Sequence, residues 1–146
     1  MILSRVIASA VLTLAVAGAQ AFDFKTIASG PVILYDAPSL KGGKLFIAPR
    51  GMPVEVVLTY GEWAKVRDVT GDMAWVEQRL LSPRRNVVVR AATARVRAQP
   101  EESASTVMSA ERGVLLELVD VQGGWIKVRH RDGITGFIRS SDIWGA

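Results

Sequence analysis

The stretch Gly61-Glu-Trp-Ala-Lys-Val-Arg67 returns later in the chain as Gly123-Gly-Trp-Ile-Lys-Val-Arg129. The two occurrences lie 62 residues apart (125 minus 63 for the tryptophans), and the same offset relates further pairs on both sides. These pairs are Pro38/Pro100, Ala48/Ala110, Arg50/Arg112, Gly51/Gly113, Glu55/Glu117, Val57/Val119 and Gly71/Gly133. Solenoid repeats usually span about 20–50 residues. The longer, gapless period therefore predicts two copies of one small, self-contained domain.

Each copy has the pattern of short β-strands joined by glycine turns. In the first copy, residues 54–60 are rich in β-branched and aromatic types. The strand pattern 63–67 follows after only two residues, a spacing typical of a β-hairpin. A turn at Gly71 and a strand pattern at 73–76 come next, and the second copy repeats the series at 114–121, 125–129 and 134–138. The sequence predicts an all-β fold of two small barrels, with single helical turns near 78–81 and 140–143.

Residues 1–21 have the composition of a secretory signal peptide. Arg5 supplies a positive charge, residues 6–17 are apolar apart from serine and threonine, and Ala19-Gln-Ala21 has the small-x-small pattern of a signal peptidase site. The apolar run is shorter than the roughly 20 residues that cross a bilayer, although an uncleaved anchor is an alternative. No cysteine follows it, which excludes a lipoprotein anchor. We predict cleavage after Ala21 and a periplasmic or secreted protein without a stable membrane span.

The composition limits the chemistry that the chain can perform. It has no cysteine, 18 Lys and Arg, 14 Asp and Glu, and a formal net charge of +4 at pH 7. Without disulfides, each domain of about 60 residues depends on its packed core. Positive charge is concentrated in a basic stretch, residues 79–97, which has no acid and contains Arg79, Arg84, Arg85, Arg90, Arg95 and Arg97. This stretch indicates either protection of an exposed strand edge or a contact with an anionic surface.

The ordered pattern of both copies resembles the bacterial SH3 domain. In the second copy it comprises Val96-Arg-Ala-Gln-Pro100, Gly123-Gly-Trp-Ile-Lys-Val-Arg129 and Gly136-Phe-Ile138. The first copy differs at Ala74-Trp75, where the family prefers Gly-Trp, and at Ile33-Leu-Tyr-Asp36, which replaces Val-Arg. The resemblance implies SH3-like β-barrels at 31–83 and 94–146, a short N-terminal segment at 22–30 and a connector at 84–93. Val87-Val-Val89 in that connector is apolar enough to form a strand.

Successive side chains of a strand point to opposite faces of the sheet, so the sequence predicts which side chains of each copy point away from the core. If the small and branched residues of 63–67 and 125–129 face the core, a tryptophan shares the other face with two cations. The candidate ligand-binding residues are Trp63, Lys65, Arg67, Trp125, Lys127 and Arg129, together with Tyr35, Trp75 and Phe137. An aromatic ring beside cations can stack on a flat ligand. The alternative is that each tryptophan is a structural lid over a barrel end or over the stems of Lys and Arg.

The sequence gives little support to an enzymatic function. His130 is the only histidine, and its counterpart in the first copy is Asp68. Ser103 and Ser105 have no evident base that would activate them as nucleophiles. The spacings typical of a metal site or a phosphate-binding loop are also missing. We therefore predict a protein that is not an enzyme and that uses no cofactor or metal.

Members of the bacterial SH3 family are mostly binding or targeting modules and often accompany cell-wall hydrolases. The resemblance therefore implies an exported tandem binding module of the cell envelope, with peptidoglycan or its peptides as the ligand class. Two alternatives stay open: an adaptor that docks another exported protein, and a binder of anionic surfaces through the basic stretch. Nucleic acid is not an expected partner of an exported protein. The oligomeric state and the relative orientation of the two domains stay open.

Overall fold

A computed structural model describes residues 22–146, so the predicted signal peptide, 1–21, lies outside the described residues. Two seven-stranded antiparallel sheets follow one another along the chain. The first consists of β1 (Phe24–Ile27), β2 (Val32–Tyr35), β3 (Lys44–Ala48), β4 (Pro53–Tyr60), β5 (Trp63–Arg67), β6 (Met73–Glu77) and β7 (Leu81–Ser82). The second consists of β8 (Asn86–Val89), β9 (Thr93–Arg97), β10 (Thr106–Glu111), β11 (Leu115–Gln122), β12 (Trp125–Arg129), β13 (Thr135–Arg139) and β14 (Ile143–Trp144). The predicted all-β fold is confirmed.

Both sheets have the same topology. The strand orders are β3-β2-β6-β5-β4-β1-β7 and β10-β9-β13-β12-β11-β8-β14. A single 3-10 turn, at Gln78–Leu80 and at Ser140–Asp142, precedes the last short strand of each sheet, as the sequence predicts. That last strand pairs with the first strand of the same sheet, so the two ends of each copy are held together. Each copy is thus a complete unit, as expected for a duplicated domain. Among residues 22–146, no helix has the length and apolar character needed to cross a membrane.

The first strand of each sheet lies outside the two domains that the sequence predicts. β1 lies within residues 22–30, and β8 lies within residues 84–93. β1 pairs with β4 and β7, and β8 pairs in the same way with β11 and β14. The prediction that Val87-Val-Val89 forms a strand is therefore confirmed. Only residues 83–85 link the last strand of the first copy to the first strand of the second.

Alternate residues of the strands build two separate hydrophobic cores. In β5, Ala64 and Val66 are each 1% exposed, whereas their neighbours are half-buried. The first core contains Ile27, Val32, Leu34, Ala48, Val54, Ala64, Val66, Ala74 and Val76. The second contains Val87, Val89, Ala94, Val96, Ala110, Leu116, Ile126, Val128, Ile138 and Ile143. Each copy therefore has the packed core that a cysteine-free domain of this size needs.

The glycine at the start of the repeated stretch adopts a backbone conformation that favours glycine in both copies. Gly61 and Gly123 have φ angles of 56° and 62°, in the left-handed region that side chains with a Cβ rarely adopt. Each forms part of the two-residue turn between the longest strand of its sheet and the strand that begins with tryptophan. The tight connection sets the register that places Tyr60 opposite Trp63 and Gln122 opposite Trp125.

The two copies pack against each other around residues 83–85. The Thr26 hydroxyl, on a residue only 3% exposed, donates a hydrogen bond to the Arg84 carbonyl oxygen at 2.5 Å. The Asn86 side-chain amide donates to the Gly51 carbonyl oxygen at 3.0 Å. Because Asn86 belongs to β8 and Gly51 to the turn before β4, this bond joins the second copy to the first.

An aromatic contact completes this junction. The rings of Phe24, in β1, and Trp144, in β14, meet edge to face with their centroids 5.1 Å apart. The Arg85 guanidinium lies 5.4 Å from the centre of the Phe24 ring and donates a hydrogen bond to the Gly145 carbonyl oxygen at 3.0 Å. The junction therefore fixes the relative orientation of the two copies, which the sequence left open.

Candidate ligand-binding faces

The outward side chains of β5 and β12 lie where the alternation predicts. Trp63, Lys65 and Arg67 alternate with the buried Ala64 and Val66, and all three are half-buried. In β12, Ile126 and Val128 are buried, Trp125 and Lys127 are half-buried and Arg129 is exposed. The two tryptophans are thus neither enclosed in the cores nor free in solvent. Partial exposure leaves them able to cover the end of the sheet and to contact a ligand.

In the first copy the outward face is aromatic. The Tyr35 and Trp63 rings meet edge to face, with their centroids 5.7 Å apart. Tyr35 lies opposite Trp75 across β2 and β6, and Trp75 lies opposite Lys65 across β6 and β5. Residues directly opposite in a sheet point to the same side. We call this set, Tyr35, Trp63, Lys65 and Trp75, the aromatic face.

In the second copy the equivalent face is cationic. Arg97 takes the position of Tyr35 and lies opposite Phe137, which in turn lies opposite Lys127. The Arg139 guanidinium lies 5.0 Å from the centre of the Trp125 ring and forms an ion pair with Glu102. We call this set, Arg97, Trp125, Lys127, Phe137 and Arg139, the cationic face. The two copies thus use one scaffold to present different chemistry.

Sequence reasoning missed Arg139, because it compared the positions that the two copies share. Arg139 stands opposite Trp125, whereas the equivalent position opposite Trp63 holds Glu77. The carboxylate of Glu77 pairs instead with Arg79 at 2.9 Å. The signal in the sequence is the difference in charge between Glu77 and its counterpart Arg139, which a comparison of the differing positions would detect.

The two predicted arginines are each engaged by an acid of the neighbouring strand. Arg67 Nη1 lies 3.3 Å from Glu55 Oε2, and Arg129 Nη1 lies 3.5 Å from Glu117 Oε2. The glutamates are directly opposite these arginines, so the repeated Glu and Arg positions form a repeated cross-strand ion pair. Among the described residues, Lys65 and Lys127 form no ion pair. The lysines are therefore the better candidates for binding an anionic group of a ligand.

The basic stretch does not form one continuous surface. Arg79 pairs with Glu77, Arg85 packs on Phe24, and Arg90 and Arg97 donate hydrogen bonds to the carbonyl oxygens of Ser141 and Ala104. Buried residues of β8 lie in the middle of the stretch. Most of these arginines therefore hold loops and strands of the protein itself.

The residues considered for catalysis lie in different loops of the second copy. His130 follows β12, and its Nδ1 lies 3.1 Å from Asp132 Oδ2 and accepts a hydrogen bond from the Asp132 backbone nitrogen. Ser103 and Ser105 are exposed in the loop between β9 and β10. Neither serine forms a side-chain hydrogen bond to the histidine among the described residues.

Two matches to one family identify the repeated unit. The family profile described as bacterial SH3 domain matches residues 28–83 and again residues 90–145. The chain belongs to the bacterial SH3 family. The first match spans β2 to β7 and the second β9 to β14, so each sheet contains one bacterial SH3 domain. The resemblance carried by the Gly-x-Trp-x-Lys-Val-Arg pattern is confirmed. No curated protein matches the chain.

Solved structures similar to this tandem of bacterial SH3 domains are only distantly related in sequence. NlpC1 from Trichomonas vaginalis is 14% identical with a TM-score of 0.38, and the alignment covers 90% of this chain and 49% of that one. An NlpC/P60 family protein from Bacillus cereus ATCC 10987 is 16% identical with a TM-score of 0.37, with 83% and 55% covered. The chain thus spans about half the length of these proteins.

Proposed function

We propose that this chain is an exported, non-catalytic tandem SH3 module that binds the cell envelope by recognising peptidoglycan or its peptides. The observation that carries the proposal is the placement of aromatic and cationic side chains on the outward side of the same strands in both domains. Bacterial SH3 domains are typically binding modules. The aromatic face and the cationic face lie at equivalent positions on the two copies, as expected if both serve recognition.

The chemistry of these faces suits a polymer of sugars and short peptides. Indole and phenol rings stack on flat or weakly polar ligand surfaces. The ammonium groups of Lys65 and Lys127 form charge-assisted hydrogen bonds with peptide carboxylates. Because the junction holds the copies in one orientation, a ligand that reaches both faces gains affinity from the second contact without further ordering of the protein.

A sedimentation experiment tests the proposal. The Trp63→Ala/Trp125→Ala double variant is expected to lower the fraction of protein that sediments with purified peptidoglycan, on the order of tenfold or more in affinity, since buried aromatic contacts dominate many interfaces. The measurement is the bound fraction over a series of peptidoglycan concentrations, with circular dichroism to show that the variant is folded.

Two further variants make that experiment decisive. Lys65→Gln/Lys127→Gln removes the two lysine charges and keeps all the aromatic side chains. It is expected to weaken binding, and the loss is expected to be larger for a polymer that carries more free carboxylates. Val121→Ala is the control, because Val121 is exposed on the same hairpin as Trp125 but lies opposite the inward-facing Ile126. Unchanged sedimentation in folded tryptophan and lysine variants would contradict the proposal.

The proposed export has its own test. Protein recovered from the periplasm or the medium is expected to begin at Phe22, because signal peptidase would cleave after Ala21. N-terminal sequencing or intact mass spectrometry measures this directly. Retention of residues 1–21 in the cytoplasmic fraction would contradict export.

A second candidate function is that of an adaptor for another exported protein. It is favoured by β3, which lies at the edge of the first sheet and exposes Leu45, Phe46 and Ile47, the last of them 72% exposed. An exposed apolar edge can accept a strand from a partner. Ile47→Lys is expected to abolish such pairing and to leave peptidoglycan sedimentation unchanged, which separates the two functions.

A further inference from the structure

The junction between the copies leaves a cleft of about 1030 Å³ whose walls come from both domains. The first copy contributes the end of β1 and the turn before β4, and the second contributes the start of β11 and the turn after β12. Residues 82–86 run along the cleft and connect the walls. We call this space the inter-copy cleft.

The inter-copy cleft is shaped by contacts that the described residues already make. The Thr26–Arg84 and Asn86–Gly51 hydrogen bonds lie in its lining, so the two walls are tied to each other and to the link. At Gly51, with φ at 86°, an added Cβ would lie 3.3 Å from the Asn86 amide nitrogen and 3.5 Å from the Leu115 methyl carbon. The cleft therefore does not depend on a ligand to hold its walls together.

The charged residues that line the inter-copy cleft are mostly positive. Four arginines line it, against one lining acid, Glu117. Arg50 comes from the first copy, Arg84 from the link, and Arg129 and Arg131 from the second copy. Glu117 is already paired with Arg129. Among the described residues, Arg50, Arg84 and Arg131 form no ion pair, and all three are exposed. Three arginines without an ion pair thus line one concave space. Clefts lined by charge of one sign attract ligands of the opposite sign.

The remaining lining is apolar or neutral. Val114 and Leu115 are half-buried on the wall of the second copy, next to the buried Leu116, and the buried Ile27 belongs to the wall of the first copy. A ligand of uniform charge would gain nothing from this apolar strip, whereas a peptide that alternates carboxylates with apolar groups would contact both parts. The volume is that of a site for several residues rather than for a single small anion.

The geometry points to a second binding site, in which the inter-copy cleft takes an extended acidic peptide and Arg50, Arg84 and Arg131 bind its carboxylates. Guanidinium groups bind carboxylates through paired, charge-assisted hydrogen bonds. The site needs both copies, because Arg50 comes from one and Arg131 from the other. The repeats diverge at Arg131, whose counterpart in the first copy is Val69, whereas Arg50 recurs as Arg112. It is separate from the aromatic and cationic faces and does not depend on their proposed function.

Titration calorimetry at low ionic strength with an acetylated peptide of alternating glutamate and leucine tests the site. The protein is expected to bind this peptide, and the Arg50→Gln/Arg131→Gln variant is expected to bind it at least about tenfold more weakly, since each lost charge-assisted contact costs roughly that factor. Both side chains are exposed, so the variant is expected to unfold at the same temperature as the unchanged protein.

The matched control removes the same charge outside the cleft. Arg112→Gln/Arg95→Gln changes the counterpart of Arg50 and an exposed arginine of β9, and it is expected to bind the peptide as the unchanged protein does. Equal losses in both double variants would show only nonspecific charge attraction and overturn the proposal. Absence of peptide binding would overturn it as well.

Two further probes establish the chemistry of the ligand. A peptide in which glutamine replaces glutamate is expected not to bind, and inorganic tripolyphosphate is expected to bind more weakly than the acidic peptide. Tighter binding of tripolyphosphate would overturn the assignment to a peptide and indicate a phosphate polymer. The Trp63→Ala/Trp125→Ala variant is expected to keep peptide binding in the cleft, so failure here is distinguishable from failure of the proposed peptidoglycan recognition.

Discussion

Phe24→Ala is expected to lower the free energy of unfolding by about 3–5 kcal/mol and to separate the unfolding of the two copies. Phe24 is 9% exposed and contacts both Trp144 and the Arg85 guanidinium. Its removal would leave a cavity in the junction, and the half-buried Arg85 would lose the ring on which it packs. The loss is large beside the roughly 5–15 kcal/mol that stabilises typical proteins.

Calorimetry measures both the loss of stability and the number of unfolding transitions. The unchanged protein is expected to unfold in one cooperative transition, because the junction couples the copies, and Phe24→Ala is expected to unfold in two. Leu40→Ala is the control, since Leu40 is 64% exposed and its loss is expected to change stability by no more than about 0.5 kcal/mol. A single, unshifted transition in Phe24→Ala would show that the junction contributes nothing to stability.

Gly136→Ala is expected to destabilise the second domain by about 1–3 kcal/mol through overpacking. A Cβ on Gly136 would lie 2.7 Å from the Arg97 carbonyl oxygen, 2.7 Å from Val96 Cγ1 and 3.0 Å from Val107 Cγ2. The first domain holds Ala74 at the position equivalent to Gly136, and Leu34 and Leu45 at the positions equivalent to the two valines. Leucine branches one carbon further from the backbone than valine, which leaves room for the methyl group of Ala74.

The clash with Val96 predicts a rescue. Val96→Leu introduced together with Gly136→Ala copies the pair found in the first domain, and it is expected to recover part of the stability that Gly136→Ala loses. Urea unfolding of the two single variants and the double variant measures the coupling between the sites. Strictly additive effects would show that the clash with Val96 is not the cause, and the crowding against the Arg97 backbone would then account for the loss.

The sequence was informative about the fold because its signals are local and occur twice. The two-residue turns at Gly61 and Gly123 fix the hairpins, and the alternation in 63–67 and 125–129 places Ala64 and Ile126 inward without reference to the rest of the chain. The sequence did not assign the first strand of each sheet to its domain. β1 and β8 pair with strands that lie far along the chain, so no local pattern assigned them to a sheet.

The candidate faces were predictable in part. The outward positions of Trp63, Lys65 and their counterparts follow from strand periodicity, whereas the ion pairs that engage Arg67 and Arg129 depend on cross-strand register. The contact between Arg139 and Trp125 depends on register as well. Register is set by the pairing of whole strands, and a one-residue shift would move these side chains to opposite faces.

By itself, the sequence determined that the chain holds two like domains of the bacterial SH3 family and which side chains of their central strands face outward. Repetition and alternation are properties of neighbouring residues, so they can be recognised without coordinates. Only the tertiary structure decided how the copies meet, which arginines are engaged within the protein, and that Arg50, Arg84 and Arg131 share one cleft. Those outcomes depend on contacts between residues far apart in the chain, such as Phe24 with Trp144, which no local pattern encodes.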